Sequence, residues 1–299
     1  MKKRFVKLIL SVGLCFSTIS FNCSMYEDKS ECTNNSSVYE VNKKNEHDVI
    51  LSSTKNTRDL GGYVSKDNKN ITRKNIILRS DHAESLSSED IEKLNKLPVV
   101  LVIDFRTQHE IDKSADAFAS LNFVRHVNIP MHFTNQFENI EKLSKNEITL
   151  DKTYIDLVSD DSQKLQIKQV FDEIANVDNG AVLIHCSFGK DRTGIISALI
   201  LGLCGVDSSD IISNFSVTQE LLNPDEKDLT KLTNLFSSDG SIMKNFIDFI
   251  EKSGGYEKFL LGCGVEQKNL DKIKSRLLEP VQSNAEVNIN NSVNNGSVS

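Results

Sequence analysis

The sequence predicts an α/β fold: a central, mostly parallel sheet flanked by helices, with a helical C-terminal part. Three observations carry that expectation. Short β-rich runs at residues 76–78, 99–103, 123–129 and 181–184 alternate with segments of helical spacing. Helical patterns then dominate the chain beyond residue 184. Finally, residues 194–204 are apolar almost all round yet too short to span a bilayer, which places that helix inside the protein.

The first 24 residues stand outside this fold. Lys2, Lys3, Arg4 and Lys7 precede an apolar run from Leu8 to Phe21, with small residues around Thr18 and Ser20, the pattern of a secretory signal peptide. Its removal would take the formal charge from −7 to −11 and place the protein outside the cytoplasm, secreted or extracytoplasmic. Residues 25–47, rich in Asn, Ser, Glu and Lys without an apolar period, read as a flexible linker. The folded domain is expected over 48–279. Ser87-Ser88-Glu89-Asp90 opens a helix with Ile91, Leu94 and Leu97 on one face. Residues 166–177 align Ile167, Val170, Phe171 and Ile174. After the buried helix, Ser208-Ser209-Asp210 caps another through Phe215, and two more follow at 241–251 and 267–278. Residues 280–299, dominated by Asn, Ser and Val, read as a disordered tail.

Composition bounds the function. Across 299 residues, 38% hydrophobic and 26% charged content with only 4 Pro suits a globular domain and excludes a collagen-like or wholly disordered chain. With 35 Lys+Arg against 42 Asp+Glu, a basic nucleic-acid surface is not expected, and the absence of Trp removes the best stacking platform. Six cysteines show no CxxC pair and no HExxH accompanies them, so neither a disulfide framework nor a zinc site is expected, and no metal.

Chemistry concentrates in Ala181-Val-Leu-Ile-His185-Cys186-Ser187-Phe188-Gly189-Lys190-Asp191-Arg192-Thr193-Gly194. A buried strand feeds a polar loop, expected to run through residue 193, which opens into the apolar helix. Orphan N–H groups and the positive end of the helix dipole then converge on the loop and make an anion site. Gly189 permits a tight turn, Arg192 offers a planar fork to two phosphate oxygens, and Lys190 adds a second cation. Cys186 stands where its sulfur meets those same groups, an environment that favours a nucleophilic thiolate. A Walker loop is excluded, because Gly189-Lys190 is followed by Asp191 and no Gly stands five residues earlier.

His185-Cys186, five residues and Arg192-Thr193 resemble the HCx5R[ST] motif of cysteine-dependent protein tyrosine phosphatases. The fuller His-Cys-x-x-Gly-Lys-Asp-Arg-Thr-Gly form is similar to a bacterial, often secreted branch acting on phosphotyrosine, in some cases phosphoserine/threonine, and phosphoinositides. Asn56-Thr57-Arg58-Asp59-Leu60-Gly61-Gly62 with Arg79-Ser80, and Asp104-Phe105-Arg106-Thr107 with Glu110, resemble two further elements of that branch. The likeness spans about residues 50–279.

The resemblance implies a tyrosine-phosphatase-like fold and a two-step reaction without cofactor. Cys186 would attack phosphorus, Arg192 and the loop amides of Ser187, Phe188, Gly189 and Lys190 would hold the phosphoryl oxygens, and the Thr193 hydroxyl would hydrogen-bond the departing sulfur. His185, Arg58, Asp59 and Arg106 would support the site. Two carboxylates compete as proton donor. Asp104 ends a strand at the ligand edge of a parallel sheet, and Asp191 lies in the loop. The alternative for Asp104 is a structural pair with Arg106 or Arg58, while Arg58 and Asp59 either brace the loop or touch substrate. The substrate is expected to be a phosphorylated protein or phosphoinositide. Alternatives are an inositol-polyphosphate phosphatase, for which Lys190 would add charge, and an inactive phosphate-binding module.

Overall fold

The computed structural model describes residues 50–132, 150–222 and 237–281. The expected signal peptide and linker lie outside them, as does the expected tail except for its first two residues, where Pro280 is ordered as the end of a strand paired with Asn70.

Five strands make the central sheet: β1 (Arg58–Asp59), β3 (Ile77–Asp81), β4 (Val99–Asp104), β5 (Arg125–Asn128) and β6 (Ala181–Cys186), in the order β1-β3-β6-β4-β5. All neighbours run parallel except β1, which is antiparallel to β3. A separate antiparallel pair joins β2 (Asn70–Thr72) to β7 (Leu278–Pro280). The helices are α1 (Ser88–Lys96), α2 (Gln108–Lys113), α3 (Leu150–Ser159), α4 (Asp161–Ala175), α5 (Asp191–Leu203), α6 (Ser208–Leu222), α7 (Gly240–Lys252), α8 (Tyr256–Gly262) and α9 (Gln267–Leu277). This is the α/β class the sequence predicts, helical toward its C-terminus.

The continuous apolar runs exist because both sheet faces are covered. On β6, Val182 and Ile184 enter one core cluster with α4 and α5, while Ala181 and Leu183 enter a second with Leu94 of α1 and Phe118. That alternation is the two-residue period of a strand displayed in a fully buried setting. Helix α5 lies inside the first cluster and buries 12 of its residues, which explains its apolar circumference. Among the described residues no helix is long and apolar enough to cross a membrane.

Register positions the chemistry. Asp81, Cys186 and Asp104 end the three central parallel strands, and Asp104 pairs with His185. Their side chains therefore emerge at the C-terminal edge of the sheet, where open α/β folds bind ligands. One expectation is corrected at this edge: α5 begins at Asp191, so Asp191, Arg192 and Thr193 form the first helical turn and not the end of a loop.

Candidate active site

Cys186 ends β6 with its residue 2% exposed, and α5 begins after four intervening residues. The first N–H groups of a helix lack intrahelical acceptors, so they point back at the segment carrying the sulfur. The described residues contain three free cysteines. Burial pushes the Cys204 and Cys263 thiols up to about 12, the behaviour of inert core residues.

The turn between strand and helix is held from below. Gly189 has φ +63°, and a Cβ there would stand 2.5 Å from the Ser80 carbonyl oxygen and 2.7 Å from the Asp81 nitrogen. Arg79, wholly buried on β3, donates from Nη2 to the Gly189 carbonyl (2.6 Å) and from Nη1 to Asn214 Oδ1 (2.5 Å). Burial lowers its pKa to about 10, still charged at neutral pH. Asn56 Nδ2 donates to the Phe188 carbonyl (2.9 Å), leaving the Phe188 side chain among the few exposed large apolar groups. The Ser187 carbonyl accepts from His82 Nδ1 (3.1 Å).

Arg192 is gripped from the side. Its Nη1 and Nη2 donate to Glu110 Oε2 (2.8 Å) and Oε1 (2.7 Å), and Nη1 also reaches the Phe105 carbonyl (3.1 Å). Ser187 Oγ donates to Glu110 Oε1 (2.6 Å). Burial opposes the charge of both partners. Their mutual contact outweighs it, holding Glu110 well below the usual carboxylate range and Arg192 above its ordinary value. Glu110 also closes the capping box of α2, bonding the Thr107 N–H through Oε2 (2.9 Å). Sequence reasoning quoted Glu110 in a motif without giving it work; the Thr-x-x-Glu capping signal marked where it sits. It quoted Arg79 likewise without a role and missed Tyr154 altogether.

Several expected residues take other places. Asp104 is wholly buried and clasped by Arg106, with Nη2 3.0 Å from Oδ2, Nε 3.1 Å from both oxygens, and the Arg106 N–H 2.8 Å from Oδ1. A carboxylate so enclosed has no path to a leaving group, so the structural alternative replaces the proton-donor expectation. Lys190 is corrected too. Its side chain is 1% exposed, and Nζ lies 2.5 Å from Asp191 Oδ1 and 3.2 Å from the Ser237 carbonyl, so it is engaged within the protein and is not a free cation at the cradle. The Thr193 hydroxyl is buried without a hydrogen-bond partner, so its expected bond to the Cys186 sulfur is not formed. Asp59 does not reach the loop: it accepts from the Gly61 and Asn75 N–H groups. Arg58 braces indirectly, bonding Asn56 and the Asn214 carbonyl.

His185 sits between two carboxylates. Its Nε2 is 3.1 Å from Asp116 Oδ2 and its Nδ1 3.8 Å from Asp104 Oδ1, while His126 Nε2 lies 2.9 Å from the same Asp116 oxygen. Ligand atoms of Asp104, Asp116, His126 and His185 all fall within 4.8 Å of one another. Arg106 already supplies a cation there, engaging both Asp104 oxygens and lying 3.9 Å from Asp116 Oδ1. The cluster is therefore a buried ion network behind the nucleophile.

Asp191 opens α5 and, unlike Asp104, keeps part of its side chain exposed. Tyr154 OH donates to its Oδ1 (2.7 Å) beside Lys190, and its side chain is 13% exposed.

A family model described as the tyrosine phosphatase family matches residues 49–279. The chain belongs to that family. A tyrosine-protein phosphatase of Nostoc commune is 34% identical over 143 residues, which is 48% of each chain. A Cupriavidus necator protein with a provisional tyrosine-protein phosphatase name is 26% identical over 172 residues, 56% of this chain and 62% of that one. The matches thus cover less than two thirds of these relatives' own lengths. Crystal structures of P. aeruginosa TpbA align more loosely, at TM-scores of 0.33 and 0.34. Their identities are 18% and 17%, covering 64% and 68% of this chain and 87% and 95% of theirs. The second is a complex with pTyr.

Proposed function

We propose that the chain hydrolyses phosphotyrosine in proteins through a cysteinyl-phosphate intermediate. One observation carries this reading: the turn after Cys186 leads into the first turn of α5, where Arg192 feels the charge of Cys186 and has its guanidinium plane fixed by Glu110. The Cys186 thiolate attacks phosphorus in line, and the S–P bond forms as the bond to the tyrosyl oxygen breaks. Arg192 and the loop N–H groups stabilise the equatorial oxygens. Asp191 gives its proton to the departing phenolate. Its carboxylate then takes a proton from the water that cleaves the S–P bond, which releases phosphate and restores the thiolate.

The engagement of Lys190 with Asp191 and Ser237 supports a phosphotyrosyl substrate over phosphoinositides and inositol polyphosphates, which call for further cations at the rim. Cys186→Ser should abolish turnover of an aryl phosphate and of a phosphotyrosyl peptide while retaining peptide binding, because the cradle supplies the binding. Substantial residual turnover would overturn the nucleophile. In a panel of phosphotyrosyl peptide, phosphoinositide vesicles and inositol hexakisphosphate, the peptide should be turned over fastest; preference for either polyphosphate would overturn the substrate assignment.

Export belongs to the same proposal, supported by the basic and apolar pattern of residues 1–24. Mass spectrometry of the protein from its own host should show a chain lacking about the first 20–24 residues. A cytosolic chain retaining Met1 would overturn it.

A further inference from the structure

Tyr154 lies on α3, 37 residues before the carboxylate it touches, and no part of the reaction described so far uses it. It is wholly buried, its ring edge-on to Phe215 at 6.0 Å between centroids. Its hydroxyl donates to Asp191 Oδ1 over 2.7 Å, and Lys190 Nζ donates to that same oxygen. Among the described residues no donor reaches Oδ2.

We propose that Tyr154 is a positioning residue for proton transfer: with Lys190 it directs the transferable proton to Oδ2 of Asp191 and steadies the carboxylate left behind. The inference rests on Asp191 being the proton donor. A carboxylic acid has two oxygens, and only one carries the proton. An ammonium has no acceptor lone pair, so Lys190 always donates to Oδ1. Tyr154 is fixed as a donor as well. Burial, then the adjoining Asp191 and Cys186 charges, raise its pKa well above the ordinary phenol value, so it keeps its proton throughout the cycle. Two permanent donors on Oδ1 leave Oδ2 as the seat of the proton, on the side of the carboxyl without a donor. When the proton leaves, the O–H bond of Oδ2 breaks and its electron pair stays on the carboxylate. Both donors then bond a full charge, and hydrogen bonds to ions are the stronger kind. The contact is therefore tighter in the transition state than in the resting acid, which is the condition for raising kcat rather than lowering KM.

The test compares variants of the full chain on two substrates: an activated aryl phosphate, whose phenolate leaves unaided, and a phosphotyrosyl peptide, whose phenolate needs a proton. Tyr154→Phe keeps the ring and removes the donor. It should lower single-turnover cysteinyl-phosphate formation on the peptide ~10–100-fold, the scale of a lost hydrogen bond to a charged group, with KM and the activated substrate little changed. Lys190→Met, which removes the other donor from a different element, should show the same leaving-group signature. Phe215→Leu, which loosens the packing but keeps both donors, should lower the melting temperature without that signature. Equal slowing of both substrates in Tyr154→Phe and Lys190→Met would overturn the inference. Asp191→Asn separates it from the reading beneath it. A steep leaving-group dependence in Asp191→Asn alone would leave the donor standing and remove Tyr154 from its support. A flat response in Asp191→Asn would remove the donor itself.

Discussion

Glu110 is a single carboxylate with two structural obligations. It completes the α2 capping box with Thr107, and it fixes the plane of the Arg192 guanidinium through both oxygens. A phosphoryl group held by Arg192 inherits whatever precision this contact has, and misplacement by about 1 Å costs on the order of 100-fold in rate. Gln is an accepted capping-box residue but carries one acceptor oxygen and no charge. Glu110→Gln should therefore keep α2 capped while kcat/KM on an aryl phosphate falls about 10–100-fold. An unchanged kcat/KM would show that Arg192 is positioned by the Phe105 carbonyl and its helix alone. Asp104 teaches the opposite lesson. Alternate residues of an extended segment share a face, so Asp104 and Arg106 were placed by sequence to meet, and the structural pairing was legible beside the catalytic one. Lys190 was not legible: nothing in the sequence tells whether its ammonium points into the cradle or back toward Asp191 and Ser237.

At the scale of elements, the β6–turn–α5 unit does the positioning, and Gly189 is where it is most constrained. Its φ of +63° is strained for any side chain, and a Cβ would collide with backbone of β3 that cannot swing aside. Gly189→Ala should lift the turn off β3 and disturb the Arg79 contact to the Gly189 carbonyl, giving a folded protein that turns over aryl phosphate far more slowly. Circular dichroism with steady-state kinetics would check this, and full activity would mean the turn relaxes without moving the N–H groups. The late placement of the α5 start has a physical reason: Lys190 occupies the N-cap without a side-chain cap bond, so no Ser, Thr or Asp signalled it. Strands β1, β2 and β7 have only two or three residues each, too few to display a period, and α8 is only seven residues long.

Over the whole molecule, the class was legible because buried strands alternating with helical spacing leave few architectures open. The centre of the site was legible because residues 185–194 are contiguous. Its partners were not, since Glu110 stands 82 residues and Tyr154 37 residues upstream of what they hold, and only the topology joins them. Those long-range pairs also set the response to acid. Desolvation, full at buried Asp116 and partial at half-buried Glu110, alone would raise them. His126, His185 and Arg106 outweigh burial at Asp116, as Arg192 does at Glu110, so both carboxyls titrate well below their ordinary values of 3.8 and 4.5. A depressed carboxyl contributes stability that is fully present above its unfolded value and is lost as pH falls toward its folded one. Asp59 and Asp81 oppose this: burial raises them, so the folded state takes up their protons first and gains stability just above about pH 4. The melting temperature should therefore stay level or rise slightly from neutrality to about pH 5, then fall steeply below about pH 4 as the unfolded chain protonates Asp116 and Glu110. Asp116→Asn should be less stable at neutral pH, because His126, His185 and Arg106 lose a charged partner, but its acid limb should be shallower than that of the unsubstituted protein. Parallel acid limbs in the two proteins would mean that Asp116 gains nothing from its network and that the buried charge behind Cys186 is balanced elsewhere.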